Sequence, residues 1–228
     1  MGIGVHGRNV VVVAVVVAVA VLTSVDAGTL VDLVRPLAGA EVDWSAGTVT
    51  ASAGAAADMR MPSPDAARPG AERRARAAAI EKLRAALRAL PVRGHDRLGE
   101  KQVDAALGHA IATRVEYQSN GGVVLWVGVR FEELVGSATT TSTTTTTATG
   151  SVVLAVGAMP LELAPLLAGG EREIVVRGVR YRQGPHPAGA IGVRRDDKGR
   201  LVLPKGAEAT LDGLVGGPVV IYLEKVLP

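Results

Sequence analysis

The sequence predicts an α+β fold, with one or two helices packed on a small antiparallel sheet and a β-rich carboxy-terminal part. Between residues 70 and 90, apolar side chains recur every three or four positions, as on one face of a helix. Residues 123–131 place every second apolar side chain on one face, as in a half-buried strand. Asn120-Gly121-Gly122 precedes them and is typical of a hairpin turn. Short apolar stretches after residue 150 predict further strands.

The amino-terminal stretch, residues 10–22, is an uncharged run of thirteen residues without Gly or Pro. Arg8 precedes it and Val25-x-Ala27 follows, the layout of a secretory signal peptide cleaved between Ala27 and Gly28. As a helix this run would span ~20 Å, short of the ~30 Å hydrocarbon core. We therefore expect a signal peptide at residues 1–27, with an uncleaved signal anchor or a buried strand as alternatives. The expected location is the periplasm or cell surface, or a membrane tether if residues 10–22 remain.

The composition limits what the exported part can be. Removal of 27 residues from 228 leaves 201, enough for one medium domain or two small ones. The net charge of +3 is mild and the basic residues are mixed with acidic ones, so no nucleic-acid partner is expected. The absence of cysteine excludes disulfides, thiolate metal sites, a cysteine nucleophile and lipid attachment at a cysteine. Such a chain fits a bacterial cell envelope.

The predicted amino-terminal domain spans residues 42–134 and follows a short leading segment, residues 28–41, which could include a helix turn. Within the main helix the small residues Ala75 and Ala79 come first and the larger Leu83 and Leu87 later, so its first half can lie close to a neighbour. Pro91 ends this helix. The other elements expected in order are a strand at 42–54, a proline-rich loop at 55–70, a second helix at 100–113 with Ile111 facing inward, and strands at 115–118 and 123–131.

Residues 135–150 are rich in threonine and predict a flexible linker or exposed loop, with a long extended strand as the alternative. Residues 151–228 form the predicted β-rich carboxy-terminal domain. Its expected elements are a strand at 151–158, a helical turn or loop at 161–167, extended segments at 173–179 and at Tyr181, a hairpin at 193–203 and a strand at 219–223.

No motif of a known catalytic mechanism is present, and we expect neither enzymatic activity, a metal site nor a cofactor. His6 lies in the signal, and His95 and His109 lack a neighbouring carboxylate cluster. Glu132 and Glu133 would point to opposite faces of a strand, and Asp196-Asp197 suits a charged hairpin tip. A hydrolase with an unusual site remains an alternative, and it would require a pocket that gathers His109 or His186 with a carboxylate.

Two features are candidates for partner contacts. A basic cluster between Arg68 and Arg97, which includes the arginines of the main helix, could face anionic headgroups or an acidic polymer, with a solvated helix face as the alternative. Trp126 could stack on a glycan, although Trp126 and Trp44 also suit a core position. The candidate interaction residues are Trp126, Arg73, Arg74, Arg84 and Arg88.

The segment 42–134 carries three marks of a known family: the run Trp44-Ser45-Ala46-Gly47-Thr48-Val49-Thr50-Ala51, the ladder Ala75–Ala79–Leu83–Leu87, and the closing strand Val123 to Val129. It resembles the LPP-twenty lipoprotein family and the amino-terminal domain of flagellar assembly protein T. The resemblance implies an envelope protein that acts by assembly with other envelope proteins or with itself, and it implies no catalytic residues. Lipid-bearing members need a cysteine after the signal, and this chain has none. We therefore expect a non-enzymatic envelope protein, with a glycan- or lipid-binding module as the alternative and the membrane surface as a further partner.

Overall fold

The computed structural model describes residues 33–93, 96–134, 152–176, 178–207, 211 and 219–227. The predicted signal peptide with its cleavage site at Ala27 and Gly28, and the predicted linker at 135–150, lie outside the described residues. The predicted α+β class is confirmed, because helices accompany two sheets and the carboxy-terminal part is rich in strands.

The first sheet is antiparallel and has five strands in the order β1-β2-β3-β5-β4. These strands are β1 (Val34–Leu37), β2 (Ala40–Asp43), β3 (Thr48–Ala55), β4 (Ile111–Tyr117) and β5 (Val123–Arg130). β1 lies within the segment at 28–41 for which no strand was expected. The pairing of β4 with β5 confirms the predicted hairpin.

The single strand predicted at 42–54 is wrong, because a turn at residues 44–47 divides it into β2 and β3. The Asp43 carboxylate Oδ1 accepts hydrogen bonds from the backbone N–H groups of Ser45 and Ala46, at 2.9 and 2.8 Å. Gly47 completes the turn with φ of +71°, a conformation that favours glycine. The Asp43 side chain and Gly47 thus form a turn within a segment whose alternating apolar and polar residues predict one continuous strand.

Helix α1 (Pro64–Ala89) packs on the face of β3 and β5 that bears the buried residues of those strands. It begins earlier than predicted, since the Ser63 hydroxyl caps it by accepting a hydrogen bond from Ala66 N–H at 3.2 Å. The predicted gradient along its buried face is confirmed. Its buried residues in order are Ala67, Ala71, Ala75, Ala79, Leu83, Ala86 and Leu87.

The second helix, α2 (Glu100–Gly108), is shorter than predicted. Ile111, expected on its inner face, is the first residue of β4 instead and is 61 % exposed. The chain from Ile111 onward forms a strand because it pairs with β5. A short helix α3 (Phe131–Leu134) follows β5 and buries Phe131 and Leu134. The adjacent Glu132 and Glu133 therefore lie on a helical turn, and the expected strand geometry is wrong for them.

The second sheet has seven strands in the order β8-β7-β11-β10-β6-β12-β9. Strand β6 pairs in parallel with β10 and β12, and β9 pairs in parallel with β12. The predicted hairpin is confirmed by the antiparallel pairing of β10 with β11, whereas β7 occupies the end of the predicted turn or loop at 161–167. The strands are β6 (Val152–Met159), β7 (Leu166–Gly169), β8 (Arg172–Val175), β9 (Arg180–Gln183), β10 (Ile191–Arg195), β11 (Leu201–Val202) and β12 (Val219–Val226).

The segments predicted as two domains, 42–134 and 151–228, meet in one hydrophobic core. The Trp44 ring packs edge-on against Phe131 and Tyr181, with ring centroids 5.2 and 5.8 Å apart. The backbone N–H of Tyr181 donates to the Trp44 carbonyl at 2.9 Å, and that of Leu163 donates to the Pro91 carbonyl at 2.9 Å. Aromatic packing and backbone hydrogen bonds therefore join the two sheets.

Among the described residues, no helix is both long and apolar enough to cross a membrane.

Candidate binding cleft

A cleft of about 850 Å³ lies between the two sheets. Helix α1 packs mainly on β3 and β5, and the face of β1 and β2 on the same side of the sheet borders this cleft. The segment between α1 and α2 and three segments of the carboxy-terminal part, at residues 160–162, 195 and 226–227, form the other walls. The lining residues are Arg35, Pro36, Leu37, Val42, Trp44, Pro91, Arg97, Pro160, Leu161, Glu162, Arg195, Val226 and Leu227.

The walls of the cleft are mostly apolar and conformationally restricted. Val42 and Trp44 are 1 % and 3 % exposed, so the core holds these two side chains in place. Three of the lining residues are prolines, whose rings fix the backbone φ angle. A preformed apolar concavity of this size falls within the range of ~300–1,000 Å³ typical of small-molecule sites.

The polar side chains of the cleft are charged and predominantly basic. Arg35, Arg97 and Arg195 contribute three positive charges and Glu162 one negative charge, which leaves a net charge of +2. Arginine stays protonated at any physiological pH. The cleft can therefore attract an anion, and its arginines are unsuited to proton transfer.

Glu162 is buried, with only 2 % of its surface exposed, and it is held by groups from two strands. Its carboxylate Oε1 lies 3.4 Å from Nη2 of Arg195 on β10, and it makes further contacts. The Tyr181 hydroxyl on β9 donates to the Glu162 carbonyl at 2.7 Å and accepts from the Glu162 N–H at 3.4 Å. Complete burial raises the pKa of this hydroxyl well above its usual range, so Tyr181 remains a neutral donor.

A smaller cavity of about 200 Å³ lies on the second sheet. His186, Tyr222 and Glu224 line it, and several glycines contribute backbone to its wall. This cavity brings His186 and a carboxylate to the same place, as the hydrolase alternative requires. His186 and Glu224 are not within ion-pair distance of each other, and Nδ1 of His186 faces the Pro187 carbonyl at 3.3 Å.

Three of the four candidate helix arginines make contacts within the chain. Arg74 donates to the Ala56 carbonyl at 2.7 Å, beyond the end of β3. Arg84 binds Asp104 at 2.8 Å, and Arg88 binds both carboxylate oxygens of Glu100 at 2.9 and 2.7 Å. Two of these arginines thus fasten α1 to α2. Arg73 is exposed, and none of the four lines the cleft.

Trp126, the remaining candidate contact, lies on the face of β5 opposite α1 and is partly exposed. The Arg114 guanidinium lies over its ring at 4.8 Å from the centroid, and Arg114 also binds Glu116. Cation–π stacking therefore covers part of the ring. The structure does not bring Trp126 together with the helix arginines or with the cleft.

Of the histidines that the sequence analysis considered outside the smaller cavity, the structure describes His109. His109 Nδ1 lies 3.7 Å from Glu133 Oε2, both largely exposed. His6 and His95 lie outside the described residues. Within the described ranges, no group of three or more His, Asp and Glu side chains is arranged to hold a metal ion.

Sequence reasoning included Arg97 in the basic cluster that could face anionic groups, but it did not propose Arg35, Arg195 or Glu162 as site residues. The four cleft residues come from four separate segments of the chain, so no local pattern indicates that they meet. One signal was available: Glu162 stands between Leu161 and Leu163, in an otherwise apolar stretch. A lone carboxylate in such a stretch predicts either a turn or a buried ion pair.

No known family matches this chain, and no curated protein is significantly similar to it.

The α1–α2 ion pair leads to a prediction about pH. Replacing Arg88 by Ala is expected to lower the melting temperature slightly near neutral pH, because Glu100 loses its bidentate partner. The hydrogen bond from Arg88 holds the pKa of Glu100 below its ordinary value of 4.5. A lowered folded-state pKa stabilises the fold above the ordinary pKa, and this contribution disappears as the pH falls through the folded-state value. In thermal scans, the difference between wild type and variant should therefore shrink as the pH falls below 4.5 and should vanish once Glu100 is protonated in both.

Arg73→Ala is the matched control, since it removes one positive charge from the same helix without breaking a described ion pair. It should leave the melting temperature unchanged near neutral pH. An equal decrease in melting temperature in both variants would show that the lost positive charge, and not the Arg88–Glu100 ion pair, is responsible.

Proposed function

We propose that this protein is an exported, non-enzymatic component of the cell envelope that acts by non-covalent binding, and that its binding site is the cleft between the two sheets. The observation that supports this proposal is the apolar, preformed cavity of about 850 Å³ with a net positive lining. The runs at residues 10–22 and 25–27 support export, and the resemblance of residues 42–134 supports an envelope location.

The chemistry of the lining supports binding in preference to catalysis. Its basic groups are guanidiniums, which do not exchange protons near neutral pH. Its one carboxylate, Glu162, is buried and engaged by Arg195. These groups can orient and retain a ligand, and they stabilise the cleft itself.

The proposal predicts that a side chain too large for the cleft removes whatever the protein binds in its native envelope. Leu37 lines the cleft from β1, and Leu37→Trp would place an indole there. Val34 lies on the same strand, is 44 % exposed and does not line the cleft, so Val34→Trp is the matched control. We expect Leu37→Trp to lose the compounds and proteins that co-purify after gentle envelope extraction, and Val34→Trp to retain them.

Mass spectrometry of the purified material checks this result, with circular dichroism to show that both variants are folded. Sequencing of the mature amino terminus in the same preparation tests cleavage before Gly28. Identical bound material in wild type and Leu37→Trp would refute the cleft as the binding site. An intracellular location would refute export.

Assembly with envelope proteins or with a second copy stays a second proposal, favoured by the edge strand β4. Ile111 and Tyr117 on this strand are 61 % and 54 % exposed, so both can contribute apolar surface to a contact. β4 ends the order of its sheet, so its outer backbone groups are open to another strand. Ile111→Lys should then release any protein that co-purifies, whereas Leu37→Trp should not.

A further inference from the structure

We infer that the cleft binds an anionic amphiphile with a single acyl chain, its carboxylate held by Arg35 and Arg97 and its chain lying against the apolar walls. This inference rests on the proposed function and specifies the ligand class for the same site. It follows from the distribution of charge, the nature of the walls and the backbone chemistry of β1.

The charge on the cleft is not spread evenly. Arg195 is engaged by the buried Glu162 carboxylate and also donates to the Gly199 carbonyl at 3.2 Å. Arg35 makes no hydrogen bond or ion pair with another described residue. Arg97 donates from Nη1 to the Asp96 carbonyl at 3.0 Å, which leaves its charge uncompensated by that bond. Two guanidiniums at an apolar cavity are therefore complementary to one anionic group.

The remaining walls suit a hydrocarbon chain. Leu37, Val42, Trp44, Leu161 and Leu227 present apolar surface to the cavity. Burying a chain against them removes apolar surface from water on both sides. A cavity of about 850 Å³ admits one small ligand, whereas a bilayer surface cannot enter a concave site of this kind.

The backbone of β1 disfavours the other obvious occupant, an extended acidic peptide. β1 is an edge strand, and a peptide could in principle add to it as a further strand. Pro36, in the middle of β1, has no backbone N–H and so interrupts the donors that such a peptide would need. A fatty acid requires no backbone pairing, and Pro36 then contributes only apolar surface to the wall.

The test is calorimetric titration of the full mature chain with palmitate, and with hexadecanol as the neutral chain of equal length, the protein being titrated into each ligand at a concentration below that at which the ligand aggregates or separates from water. We expect palmitate to bind at least tenfold more tightly than hexadecanol, because only palmitate satisfies the two guanidiniums. Arg35→Ala and Arg97→Ala should each weaken palmitate binding about tenfold, the loss of one charge-assisted hydrogen bond, and leave hexadecanol unaffected. Arg73→Ala, which removes the same charge outside the cleft, should leave both affinities unchanged.

A second measurement locates the ligand. In a Trp126→Phe background the sole tryptophan is Trp44, which lines the cleft, so palmitate brominated on its chain should quench the fluorescence. Leu37→Trp serves as the blocked form in the calorimetry.

The outcomes separate the two proposals. Equal binding of palmitate and hexadecanol, unaffected by either arginine variant, would overturn the anionic ligand and leave the cleft as an apolar binding site. Binding of neither, while native material still co-purifies in a Leu37-dependent way, would overturn the amphiphile alone. Failure of both experiments would overturn the proposed function as well. Binding of an acidic peptide in preference to palmitate would also overturn the inference.

Discussion

Replacement of Trp44 by Ala is expected to lower the free energy of unfolding by about 3–5 kcal/mol, the usual effect of removing a buried aromatic side chain. Trp44 is 3 % exposed and lies between Phe131 of the first part of the chain and Tyr181 of the second. The cavity left by the indole would lie where the two sheets meet, and neither ring could fill it without moving its own strand or helix. Urea unfolding followed by circular dichroism measures this loss.

Trp126→Ala is the matched control, because it truncates the same residue type on the open face of the sheet. Its ring is partly exposed and is covered by Arg114, so about 1–2 kcal/mol is expected for the lost packing and cation–π contact. A larger loss from Trp126 than from Trp44 would contradict the assignment of Trp44 to the shared core. Unfolding of Trp126→Ala would also exclude a glycan-contact role for Trp126.

The second large effect is expected at Leu83, which is fully buried where the face of α1 changes from alanines to leucines. Leu83→Ala should cost about 2–5 kcal/mol, because the deletion leaves a cavity against the sheet. The double variant Ala79→Leu/Leu83→Ala restores the total volume one turn earlier. We expect it to be less stable than Leu83→Ala alone, since Ala79 is fully buried and overpacking typically costs about 1–3 kcal/mol.

Ala77→Leu provides the control for this pair, because Ala77 lies on the exposed side of the same helix. It should change stability by no more than about 0.5 kcal/mol. Equilibrium unfolding of the variants under identical conditions decides the matter. Rescue of Leu83→Ala by Ala79→Leu would show that the helix can shift along the sheet and that the size gradient does not fix its position.

The sequence pattern predicts those elements in which the buried residues recur at the regular spacing of a helix or a strand. In β5 every second residue is buried, and in α1 the apolar residues repeat at helical spacing, so both were recognisable from the sequence. The break between β2 and β3 was not recognisable from the sequence. It depends on hydrogen bonds from the turn's backbone to the Asp43 carboxylate and on a positive φ at Gly47. The strand predicted at 115–118 begins earlier, at Ile111, because pairing with β5 outweighs the helical pattern of residues 111–113.

For the candidate interaction residues too, the sequence indicated part of the outcome and the structure determined the rest. Arginines on an exposed helix look alike in sequence, whether they face solvent, a partner or a neighbouring helix. Arg84 and Arg88 were recognisable as a charged face, but only the position of α2 brings Asp104 and Glu100 within reach of them. Which charges remain available therefore depends on the packing of elements that are distant in the chain.

The sequence by itself determined the α+β class, the course of α1 and β5, the hairpins, and the limits that follow from a chain without cysteine. Each of these features depends on the composition or on interactions between residues that are close in the chain, so it can be inferred from the sequence directly. Only the tertiary structure decided that Trp44 joins the two sheets and that Arg35, Arg97, Arg195 and Glu162 meet at one cleft. These residues come from segments up to 160 positions apart, the distance from Arg35 to Arg195, and no local period records a contact made over that separation.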